Sequence, residues 1–107
     1  MTYITYKEFV EPYSAAEATK YPSLLENISN ERPERADELI AFVMNAGQLY
    51  IGTTAHSKDI LTGEDTGMRG NIRQDEEYSW PIDLAYYVDR YNLMLPDDFV
   101  EHILSRS

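Results

Sequence analysis

Apolar and polar positions change their spacing several times along this chain, and each change predicts an element. Thr5-Tyr6-Lys7-Glu8 has the S/T-x-x-E form of a capping box, in which a hydroxyl and a carboxylate satisfy the free amides of a first helical turn. It predicts a short helix over residues 5–11, with Phe9 and Val10 facing inward and Pro12 interrupting the segment. Ser14-Ala15-Ala16-Glu17 repeats the box and opens a second helical stretch that Pro22 breaks, with Leu24, Leu25 and Ile28 apolar beyond it. The third helix has the fullest set of signals. Asn30 fits an N-cap, Pro33 a first turn, and Glu34 and Asp37 the positive end of the dipole. Leu39, Ile40, Phe42, Val43 and Met44 form its apolar face, and Gly47 stands where a left-handed C-cap belongs.

The period then shortens. Residues 48–54 are β-branched and aromatic and predict a strand. Residues 55–71 are polar and hold Gly63, Gly67 and Gly70, which predicts a long exposed loop or the tip of an extended hairpin returning through residues 71–78. Helical spacing resumes after Pro81, in Ile82, Leu84, Ala85, Tyr86, Tyr87, Val88 and Tyr91, and Asn92 marks its stop. Pro96-Asp97-Asp98 starts a last helix with a Phe99, Val100, Ile103, Leu104 stripe. The composite is a helix-rich α+β fold with one small antiparallel sheet or hairpin, organised as a single domain over residues 1–107.

Composition narrows the classes. A chain of 107 residues with 43% hydrophobic residues suits one modest core. Without cysteine there is neither a disulfide framework nor a thiolate metal site. No export signal or membrane-length apolar run is visible, so the expected compartment is cytoplasmic and no membrane partner is expected. Nineteen acids against nine bases give a net charge of −10, which repels phosphate backbones and attracts basic partners. Direct nucleic-acid binding is therefore not expected. Net charge of this sign also serves plain solubility.

Chemistry is sparse. His56-Ser57-Lys58-Asp59 gathers a histidine, a hydroxyl and a carboxylate, but triads are assembled from separate elements, and in a polar loop His56 reads as solvated. His102 reads as a partly exposed surface histidine. Asp59, Glu64 and Asp65 lack the carboxylate ladder of a calcium loop, and Asp75, Glu76 and Glu77 diverge on a strand, so no metal or other cofactor is expected. The three loop glycines are followed by no Lys-Ser/Thr pair, which excludes a phosphate loop.

Between Gln74 and Glu101 eight acids face one base, Arg90, a net of −7, interleaved with Tyr78, Trp80, Tyr86, Tyr87 and Tyr91. Trp80 is expected in the core and Tyr86 outside it. Exposed tyrosine beside carboxylate suits the docking of a basic protein, rings giving contact area and acids giving steering. The candidate partner-binding residues are Asp75, Glu76, Glu77, Tyr78, Asp83, Tyr86, Asp89, Asp97 and Asp98. In size, charge and aromatic content the chain resembles the small acidic immunity proteins that bacteria make against their own toxins, many of them nucleases. No motif carries that likeness, so no residue role transfers with it. It implies a non-catalytic inhibitor covering a basic toxin surface. A second resemblance is to phage-encoded DNA mimics of the anti-CRISPR or anti-restriction kind. Two further alternatives are a small enzyme built on His56 with Asp59 or Glu64, and a homodimer formed by Phe99 and Ile103 of the last helix.

Overall fold

In the computed structural model, which describes residues 1–106, the chain opens with a two-residue strand, β1 (Thr2–Tyr3), and two one-turn helices, α1 (Lys7–Val10) and α2 (Ala15–Ala18). Helix α3 (Ala36–Asn45) leads into β2 (Gln48–Ile51), β3 (His56–Lys58), β4 (Asp65–Arg69), β5 (Ile72–Gln74) and β6 (Tyr78–Pro81). Helices α4 (Leu84–Tyr91) and α5 (Asp97–Leu104) complete the described chain. Four strands form one sheet in the order β1-β6-β5-β2, and β3 and β4 form a separate two-stranded sheet. The fold is α+β, but at 32% helix and 20% strand it is not helix-rich. Nor is the main sheet purely antiparallel, because β1 runs parallel to β6.

The core lies between this sheet and the helices. Trp80, Tyr6, Tyr87, Phe99, Leu24, Leu84 and Leu93 are its largest fully buried members. Trp80 sits in β6 between two paired neighbours, its indole N–H donating to the Val43 carbonyl at 2.8 Å. Pro81, where helical spacing is expected to resume, instead closes strand β6, and α4 begins three residues beyond it. Proline is tolerated at the end of β6, where the next amide, that of Ile82, closes onto the Asn71 carbonyl at 2.9 Å.

The predicted caps have separate fates. Ser14 accepts from the Glu17 amide at 3.2 Å, as its box requires. Thr5 does not cap α1: the N-cap is Tyr6, without a side-chain bond, and Thr5 is buried. Glu8 turns away from that box, accepting from the Ser23 hydroxyl at 2.5 Å and the Leu24 amide at 2.6 Å. Burial raises the Glu8 carboxyl, but these bonds outweigh it and leave it below its ordinary value. One acid thus anchors the irregular segment carrying the core residue Leu24. Asn30 is likewise no cap, since α3 starts only after Arg35, which is left-handed at φ 57°.

Gly47 takes φ 65°, one residue past the C-cap Ala46. A Cβ there would lie 2.1 Å from the carbonyl oxygen of Gln74 on β5, so the close approach of the two strands depends on glycine. Arg73 completes the corner by donating to the Ala46, Asn45 and Gly47 carbonyls at 2.7, 3.2 and 3.1 Å. Gly47→Ala is expected to cost at least about 2 kcal/mol, since both the backbone and β5 must move. Urea unfolding reads that loss directly.

Candidate functional site

Of the two readings of residues 55–71 the hairpin is the one observed: β5 returns antiparallel to β2, the tip between them is itself the β3–β4 hairpin, and the Asp59 carboxylate ties that tip to α4. The fully buried Asp59 accepts from the Tyr86 hydroxyl at 2.7 Å and the Tyr91 hydroxyl at 2.5 Å on one oxygen. Its other oxygen accepts from the amides of Leu61 and Thr62 at 2.7 and 3.2 Å, closing the turn between β3 and β4. Tyr87 adds a third phenol, donating to the Lys58 carbonyl at 3.3 Å and accepting from the Ile60 amide at 3.1 Å. Burial opposes the charge on Asp59, yet two phenols and two amides bring its pKa down to about 2. The same bonds hold the Tyr86 and Tyr91 phenols protonated, Tyr86 up to about 12. Arg90 lies 4.0 Å from Asp59 and over the rings of Tyr86 and Tyr91.

This knot removes Asp59 from the enzyme grouping, and His56 pairs instead with Asp65 at 3.0 Å across the hairpin. Among the described residues no set of three or more His, Asp or Glu side chains could hold a metal ion. No helix of the described chain is long and apolar enough to cross a membrane.

The tyrosine–carboxylate surface expected over residues 75–98 is not assembled as one patch. Asp75 turns inward and meets the His102 Nε2 at 2.5 Å while accepting from the Glu77 and Tyr78 amides. Burial raises its carboxyl, but these bonds lower it below its ordinary value. His102 is consequently buried, not a surface histidine, and Tyr78 packs half-buried against it and Phe99. Tyr86 is half-buried and committed to Asp59. Asp83 is half-buried at the cap of α4, and desolvation raises its carboxyl. Glu76, Glu77, Asp89, Asp97 and Asp98 are exposed. Of these Glu77 pairs with Arg106 at 3.3 Å and Asp89 with Arg32 at 3.2 Å. The homodimer face fails too: Phe99 and Ile103 are buried in the core.

Asp97 and Glu101 lie one turn apart on α5 with Asp98 beside them, all exposed. Among the described residues none of the three has an ion-pair partner, as is true also of the exposed Glu11, Glu26, Glu31 and Glu76. Asp97 edges a groove of about 280 Å³ between α5 and the start of α3. Leu39, Leu95, Val100 and Leu104 line it with apolar surface, and Glu34 adds a second acid. Arg35 also borders the groove, but Glu38 engages its guanidinium at 2.5 and 2.8 Å. Sequence reasoning named Asp97 and Asp98 but missed this groove. The signal was the apolar Leu93-Met94-Leu95 run just before Pro96, too short to show a period. Comparisons with protein-family models, curated proteins and solved structures return no match to this chain.

Proposed function

We propose that this chain is a non-catalytic binding module that neutralises a basic protein partner, in the manner of a cytoplasmic immunity protein, through the acidic groove beside α5. The carrying observation is Asp97 at the rim of an apolar recess, with Asp98 and Glu101 near it on α5, all three without cation partners among the described residues. A lysine or arginine flanked by an apolar side chain complements that pairing, its stem in the recess and its head at the rim. The exposed acids elsewhere, Glu76 and Glu77 among them, add long-range attraction that speeds encounter. The paired tyrosines supply stiffness beneath the surface instead of contact area on it.

The test compares two immobilised baits in extract of the native host, wild type and an Asp97→Asn, Asp98→Asn, Glu101→Gln variant that keeps side-chain shape. Wild type is expected to retain a basic protein that the variant holds about tenfold more weakly. Raising salt to about 0.5 M should erase most of the difference by screening. Equal retention by both baits, indifferent to salt, would remove the proposal.

A further inference from the structure

We infer that β2 is a docking edge for a second copy of this chain, an interface separate from the acidic groove. Strand β2 ends the four-stranded sheet, with β5 on one side and no described strand on the other. Leu49, Tyr50 and Ile51 are 55, 59 and 48% exposed, a run of large apolar side chains on an unpaired edge. A register shift between Leu49 and Ile51 also leaves Tyr50 without a partner residue on β5. Natural edges are usually guarded by charge, proline, great shortness or a bulge, and of these β2 carries only the irregularity at Tyr50. The opposite edge, β1, has only two residues, whereas β2 has four and contains no lysine, glutamate or proline.

Charge decides the occupant. From Leu39 through Ser57 the chain has no Asp, Glu, Lys or Arg, although its total is −10. The nearest cation along the sheet, Arg73, is turned onto the carbonyls at the end of α3. Two copies repel wherever their carboxylates meet, so the neutral edge is where like-charged molecules approach at least cost. A basic partner, by contrast, gains nothing electrostatic there. Antiparallel pairing of β2 with its own copy is self-complementary under a two-fold axis and joins the two sheets into one of eight strands. The contact is small, so the dimer forms only at high concentration.

Light scattering of the whole chain tests this at about 10 μM and about 1 mM, in low salt and in about 0.5 M sodium chloride. The mass is expected to climb from 12.4 kDa toward twice that value with concentration, and further with salt. Leu49→Lys and, separately, Tyr50→Lys should restore the monomer. A wild-type mass that stays monomeric at the highest concentration and salt overturns the inference, as does a dimer that survives both substitutions. If either variant loses its circular dichroism, amide exchange of the wild type decides: protection at residues 48–51 must rise with concentration, and unchanged protection overturns it. Salt strengthens this association and weakens capture of a basic partner, so the two can fail independently.

Discussion

Asp59→Ala is expected to lower stability by about 3 kcal/mol, because two phenols and two amides lose one shared acceptor inside the fold. That is a large part of what a domain this size possesses. Asp59→Asn retains the shape but not the chemistry. Turned one way, its NH2 meets the Leu61 and Thr62 amide donors; turned the other, both phenols must reverse to accept from it and lose their bonds to a charged acceptor, so this variant should also be destabilised. Chemical denaturation measures both losses, and hydrogen exchange over residues 56–69 locates them. A wild-type-like Asp59→Asn would show that the hairpin is held by something else. The same group sets an acid limit. Its pKa falls from about 4 in the unfolded chain to about 2 in the fold, so its contribution is complete above about 4 and disappears as pH drops toward 2. Asp75, also lowered, acts with the same sign. Asp83 acts oppositely, since desolvation makes its ionisation unfavourable as pH rises through the acid range. Stability of Asp59→Asn should accordingly decline less steeply than wild type below about pH 4.

Trp80→Ala should be more damaging, at about 4 kcal/mol. The indole is fully buried in the second strand of the sheet and contacts Phe42 and Phe99 at ring separations of 5.2 and 5.5 Å. Its removal opens a cavity where β6, α3 and α5 converge and leaves the Val43 carbonyl without its donor. Trp80→Phe refills part of the volume and is expected to recover about half of the loss. Thermal unfolding followed by circular dichroism distinguishes the three proteins, and an alanine variant that melts like wild type would contradict this core.

Elements with strong local chemistry were legible in the sequence. Ser14 caps its helix, Gly47 and Asn92 adopt left-handed φ, Trp80 is buried, and α5 presents Phe99 and Ile103 inward. What escaped depends on pairing between distant residues. Strand β1 exists because its two residues meet Tyr78 and Ser79, some 76 positions later, and two residues carry no period. Strand β6 was hidden by Pro81, which suits a helix start equally well. The Thr5 box was undone by Ser23 and Leu24, which offer Glu8 better donors than the first turn does. The site followed the same rule. Asp97 and Asp98, acids with no ion-pair partner among the described residues, lie at the surface as expected, while Asp75, Tyr78 and Tyr86 were claimed by a histidine and an aspartate distant in the chain.

The most direct test of the binding surface is an NMR titration of isotope-labelled protein with the basic protein it retains, at low and high salt. Amide shifts are predicted to cluster at Glu34, Leu39, Leu95, Asp97, Val100 and Leu104 and to fade as salt rises. Shifts confined to the surface around Glu11, Tyr13 and Glu17, with the groove residues unmoved, would contradict the account.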